Sequence, residues 1–139
     1  MEDYHLVFVY GTLKNGHSRH SILEEQRYIG IAKTIGQYSM FRTISYPCLV
    51  ESKDEFAGKK IYGELYEVDT ECLRVLDDIE GVEYNVFQRC EILLDEITIV
   101  NLPLFSETLT KLYRKTAEAY FYQKDVSQCK EAGLFWPIR

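Results

Sequence analysis

The feature that most constrains this chain is the run Leu6-Val7-Phe8-Val9-Tyr10, which stops abruptly at Gly11. Valine, phenylalanine and tyrosine suit a pleated, half-buried surface. Gly11 ends the run without steric cost. The continuation Thr12-Leu13-Lys14-Asn15-Gly16-His17 reads as a turn. Successive backbone N–H groups in such a turn form a concavity of positive character, suited to a carboxylate or a phosphate. The first expectation is therefore a strand over 6–10 that delivers an anion-binding turn.

A second segment, residues 69–81, reads as a short helix. Asp69 is a good N-cap, Glu71 falls in the first turn and Gly81 is placed to stop the helix. Cys72, Val75, Leu76 and Ile79 recur at helical spacing and predict one apolar stripe. Asp77, Asp78 and Glu80 then crowd three carboxylates into the last turn, where the macrodipole favours cations. A local rule broken in this way points to a functional site, because ordinary structure gains nothing from it. Repulsion and partial burial both raise the proton affinity of a carboxylate held inside, which suits a general base. The plainer reading is a solvated acidic helix end.

Composition bounds the rest. With 139 residues and no Pro/Gly/Ser linker, the chain is expected to be one domain over 1–139. A net charge of −6 without a basic stripe argues against nucleic acid as a partner. Glu2 and Asp3 precede only a short apolar run, so neither a signal peptide nor a membrane span is expected. Cys48, Cys72, Cys90 and Cys129 show no Cys-x-x-Cys spacing and are read as reduced, which fits a cytoplasmic protein.

A coarse pass predicts strands over 6–10, 28–35, 39–42, 61–68, 86–94 and 116–122, with a short helix over 18–25. Gly36 is read as a bend or bulge, and Gly63 as a point where backbone comes close to something. Short strands with few helices predict an α+β fold: a small, mostly antiparallel β-barrel, closed or nearly so, with flanking short helices. Residues 96–100 alternate like a strand and 106–114 could be a capped helix. The stretch 95–115 is read as a rim insertion that could cover the substrate. The apolar 134–138 segment is expected to pack back on the barrel.

The ordered set Val9-Tyr10-Gly11-Thr12-Leu13-Lys14 with Gly16 and His20, Tyr46-Pro47-Cys48-Leu49-Val50, Gly63-Glu64-Leu65-Tyr66, Leu76-Asp77-Asp78-Ile79-Glu80, Tyr84, Gln88-Arg89 and Ala119-Tyr120-Phe121-Tyr122 resembles the gamma-glutamylcyclotransferase superfamily. Thr12 in the turn is similar to the gamma-glutamylamine cyclotransferase and AIG2-like branch. The resemblance implies a barrel of six or so strands flanked by helices. It also implies release of 5-oxoproline from a small gamma-glutamyl substrate, with no metal and no cofactor. In that chemistry the substrate's own alpha-amine attacks its gamma-carbonyl and expels an amine or amino acid. The resemblance puts the proton-relaying carboxylate at Glu80, and the cradle for the substrate's alpha-carboxylate at Tyr10, Gly11, Thr12 and Leu13. It also makes Tyr122 a pocket residue; Pro47, with Leu49, is read as part of a pocket wall.

The residue chemistry is compatible with this. A substrate that carries its own nucleophile needs no Ser or Cys nucleophile, only a base of suitable proton affinity and a rigid grip. Asp77 is read as a local hydrogen-bonding group, Asp78 as solvent-facing or structural, and Arg89 as a partner for a carboxylate near Glu80. His17 and His20 have helical spacing, but without a third ligand they do not predict a metal site. Two alternatives stay open: a protein that binds a small carboxylate without turning it over, and a cyclotransferase for a gamma-glutamyl-protected metabolite. The sequence does not set oligomeric state.

Overall fold

The computed structural model of the chain describes residues 3–10, 20–42, 46–52, 58–127 and 129–131. Strands β1 (Tyr4–Val9), β2 (Arg27–Thr34), β3 (Tyr38–Arg42), β4 (Pro47–Glu51) and β5 (Tyr62–Asp69) are followed by helix α1 (Thr70–Ile79). Then come β6 (Phe87–Ile99), helix α2 (Ser106–Arg114), β7 (Thr116–Tyr122) and β8 (Lys130–Glu131). Five strands close into a barrel in the order β1-β5-β2-β6-β7. Every pairing in it is antiparallel except the seam between β1 and β7, where Val7 lies opposite Glu118.

The continuous apolar run in β1 has a simple cause: both of its faces are covered. Leu6, Phe8 and Tyr10 point into the barrel with Leu65, Ile92, Ala117, Ala119 and Phe121. Val7 and Val9 point outward into a second cluster with Val68, Leu73, Leu76 and Tyr120. Period-two alternation thus serves two apolar layers rather than one layer and solvent.

The barrel has five strands, not six or so. The expected strand over 39–42 leaves the wall and pairs with β4 and β8 in a separate sheet of order β4-β3-β8. Tyr38, Met40 and Leu49 belong to the barrel's interior cluster. Their apolar surface is therefore buried over the barrel rather than as part of its wall. The expected break between two strands near residue 95 is likewise absent. β6 runs unbroken for 13 residues, pairing with β7 over Phe87 to Leu93 and with β2 over Leu94 to Ile99. A register shift between Lys33 and Thr34 marks the handover, as bulges do where a barrel turns a corner.

Other expectations also shift. The predicted helix over 18–25 is only a 3₁₀ turn, His20–Leu23, within the described residues. The apolar stripe of α1 is Cys72, Leu73 and Leu76, whereas Ile79 is exposed and Val75 half-buried. Both sets fit helical spacing, and contact with the barrel selects the second. The segment read as a cover for the substrate does something else. The buried carboxylate of Glu67 accepts the main-chain N–H groups of Leu104 (2.9 Å) and Phe105 (3.2 Å), and Phe105 stacks on Tyr4. Leu112 of α2 enters the interior cluster. α2 therefore starts at the end of β1 opposite Tyr10. The 134–138 segment lies outside the described residues.

Candidate active site

Chain direction brings the two key segments together. β5 runs antiparallel to β1, with Val9 opposite Glu64 and Tyr4 opposite Asp69, so it finishes beside the start of β1. There Asp69 caps α1, its carboxylate accepting the Cys72 N–H at 2.7 Å. The helix then turns back along the outside of the barrel. Its 10 residues cover about 15 Å, against about 3.3 Å per residue along β1. The last turn thus returns to the end of β1 that carries Tyr10. Gly81 stops the helix there with φ of +68°, the left-handed conformation that glycine adopts freely. Its N–H bonds to the Asp78 carbonyl at 3.2 Å.

Glu80 occupies the C-cap, half-buried, with its N–H bonded to the Leu76 carbonyl at 2.9 Å. Its charge acts on groups from three other elements. Tyr10 has a proton affinity well above a phenol's ordinary value, first through burial and next through Glu80. The Cys48 thiol is pushed up to about 12 by burial, with Cys129 and Glu80 adding to it. The Tyr120 phenol is raised by burial and by its bond and charge contact with Asp77, partly opposed by Arg89; Glu80 adds a smaller increment. Those three groups lie at the end of β1, on β4 and on β7, and each feels the Glu80 charge.

Tyr10 is buried and its hydroxyl is fully used. It donates to the Tyr120 carbonyl at 2.6 Å and accepts the Leu49 N–H at 3.3 Å. Its side chain ties the end of β1 to β4 and β7, and the expected cradle residues Gly11, Thr12 and Leu13 follow it in sequence. Those three residues lie outside the described residues, as do His17 and the His20 side chain. Pro47 is buried at the head of β4, opposite Arg42. Tyr122 is half-buried, with its ring 5.3 Å from Phe87 and 6.4 Å from Tyr46. Its hydroxyl is pushed up to about 12 by burial, then by Tyr46 and Cys48. Tyr46, Phe87 and Tyr122 form an aromatic wall beside Cys48.

The acidic last turn is partly neutralised. Asp78 is mostly exposed and lies 3.5 Å from Arg74, which also pairs with Glu71. Asp77 accepts the Tyr120 hydroxyl at 2.7 Å and faces Arg89 at 3.2 Å, so the expected Arg89 partner is Asp77. Sequence reasoning did not single out Tyr120, Cys48 or Phe87. Tyr120 was accessible, since it shares a strand face with Tyr122 at period two. Among the described residues no cluster of three or more His, Cys, Asp or Glu could hold a metal ion. No described helix is long and apolar enough to cross a membrane.

Comparison with known proteins matches this geometry to a family. The model of the family described as gamma-glutamyl cyclotransferase, AIG2-like, matches residues 7–135. The chain belongs to this family. Among its relatives, a Vibrio cholerae protein with a provisional gamma-glutamylcyclotransferase name is 40% identical over 78 residues. That match covers 56% of this chain and 64% of the relative. The gamma-glutamylaminecyclotransferase of Rattus norvegicus is 34% identical over 91 residues, covering 60% of this chain and 58% of the rat protein. The matches thus span less than two thirds of either relative's own length. The crystal structure of an AIG2-like protein from Mus musculus shares the fold, with a TM-score of 0.60 at 23% identity, over 87% of this chain and 77% of that one.

Proposed function

We propose that this chain converts a small gamma-glutamyl amine or amino acid to 5-oxoproline, acting as one domain with Glu80 as the proton relay. The observation that carries the reading is that Asp77 ties the last turn of α1, with half-buried Glu80 three residues on, to Tyr120, whose carbonyl holds Tyr10 just before residues 11–13 in sequence. The amides of Gly11, Thr12 and Leu13 hold the substrate's alpha-carboxylate. Its alpha-nitrogen then lies near its own gamma-carbonyl, and pre-positioning of that kind is worth about 7–11 kcal/mol. The nitrogen attacks the carbonyl carbon, a ring C–N bond forms and the bond to the departing amine breaks. Glu80 takes the proton lost by the attacking nitrogen and returns it to the leaving nitrogen, a role worth about 10²–10⁴-fold. Tyr10 fixes the root of the cradle, and Pro47 and Tyr122 border the pocket.

The test is 5-oxoproline release from a panel of gamma-glutamyl amines and gamma-glutamyl amino acids, with wild type and Glu80→Gln side by side. Release by wild type and its near-abolition in the variant is the expected result. Wild-type rates in Glu80→Gln overturn the role of that residue. Calorimetric binding of 5-oxoproline with no turnover of any substrate points instead to a protein that only binds a small carboxylate.

A further inference from the structure

The helix that carries Glu80 is tied to the barrel one turn before its end. Asp77 precedes Glu80 by three residues and so shares its face of α1. One Asp77 oxygen accepts the Tyr120 hydroxyl at 2.7 Å, and the other lies 3.2 Å from Arg89 Nη1. The latter is a charge contact, because among the described residues the buried Nη1 has no aligned hydrogen-bond acceptor. The Nε of the same guanidinium sits 2.9 Å from Glu118 Oε2, and the other Glu118 oxygen lies 3.6 Å from His5. Arg89 and Tyr120 are cross-strand partners on β6 and β7. One cation thus serves two carboxylates, and the directional bond to α1 comes from Tyr120.

We propose that Arg89 and Asp77 are positioning residues that hold the last turn of α1 so that Glu80 faces the Tyr10 end of the barrel. The proposal rests on reading Glu80 as the proton relay. The pair is half-buried and its one cation is shared between two carboxylates, so its worth lies in geometry more than in stability. Displacing a reacting group by about 1 Å can cost about 100-fold in rate. Without Arg89, the Asp77 carboxylate is left uncompensated one turn from Glu80, and the two repel.

The experiment uses the full chain and its best gamma-glutamyl substrate. Arg89→Gln is expected to lose about 10–100-fold in kcat with KM changed less than about threefold. Arg89→Lys, which keeps the charge, recovers part of the loss. Because Arg89 acts through Glu80, Glu80→Gln/Arg89→Gln is expected to be no slower than Glu80→Gln alone. Without any substrate, amide exchange at Glu80 and Gly81 is expected to rise at least about tenfold in Arg89→Gln, while β1 and β5 keep their protection. Wild-type kcat in Arg89→Gln, full additivity in the double variant, or unchanged exchange at Glu80 and Gly81 overturns the proposal. Loss of turnover in Glu80→Gln with wild-type turnover in Arg89→Gln sinks this proposal alone. Wild-type turnover in Glu80→Gln removes the proton-relay reading and this proposal with it.

Discussion

The hydroxyl of Tyr10 donates to the main-chain carbonyl of Tyr120 across 2.6 Å, although 110 residues separate them. The same oxygen accepts the Leu49 N–H. One side chain therefore pins β4 and the late strand β7 to the end of β1, just before residues 11–13 in sequence. Tyr10→Phe removes a buried hydrogen bond from each of two backbone groups, at a cost of about 1–3 kcal/mol. The expected fall in Tm is roughly 3–12 °C, read by scanning calorimetry. A variant as stable as wild type refutes the brace.

Two neighbouring acids should behave differently. Asp78 lies on the exposed side of α1 against Arg74, whereas Asp77 bonds Tyr120. Asp78→Asn is expected to change stability by less than about 0.5 kcal/mol and to leave 5-oxoproline release unchanged. Asp77→Ala removes the Tyr120 acceptor and is expected to slow release. Equal effects from the two would contradict the placement of α1.

Gly63 has no room for a methyl group. A Cβ there would lie 2.5 Å from the Phe8 ring and 2.6 Å from the Val9 carbonyl oxygen. The ring can shift a little, but the carbonyl belongs to β1 just before Tyr10. Gly63→Ala is expected to cost about 1–3 kcal/mol and to lower activity by moving that strand end. Denaturant titration together with turnover checks both halves.

Alkaline pH should destabilise the fold through groups held neutral. Burial, with smaller charge terms, raises Tyr10, Tyr66 and Tyr120 above a phenol's ordinary value and pushes Cys48 to about 12 and Cys72 to about 11. A group whose folded value is raised contributes stability in full below its unfolded value and loses it as pH climbs through the folded one. The decline therefore begins near about pH 9 for the thiols and about pH 10 for the phenols. Melting temperatures measured across that range should fall monotonically. At about pH 8 the folded Cys48 stays almost wholly in its thiol form, so its alkylation should be slow until the chain unfolds. Rapid modification of native Cys48 would contradict its burial.

Some of this was legible without coordinates because it is local. The Asp69 cap, the Gly81 stop and the β1 run depend on neighbouring residues and backbone chemistry, and each holds. Gly63 also does what an isolated strand glycine suggests: it lets β5 approach Phe8 and Val9. The failures involve choices that only tertiary packing makes. Met40 and Leu49 have ordinary strand surroundings, and nothing nearby says that they cover the interior rather than extend the wall. Leu73 replaces Ile79 on the buried face of α1 because the barrel sets the helix's rotation. Glu67 reads as a polar strand residue, yet it is buried to receive two N–H groups from the lead-in to α2. Of the candidate site, the family resemblance points to Glu80 and Tyr122, but Tyr120 enters through a contact 43 residues away with Asp77.

The parallel seam between β1 and β7 has a consequence for biosynthesis. It joins the first strand of the barrel to be made to the last, with Val7 meeting Glu118. During translation β1 emerges long before its second neighbour exists, and contacts of such sequence separation are slow to form. A nascent or truncated chain lacking β7 would display an unpaired, strongly apolar strand edge, a template for self-association. Ribosome stalling before β7 is made would thus yield sticky material in place of a closed barrel.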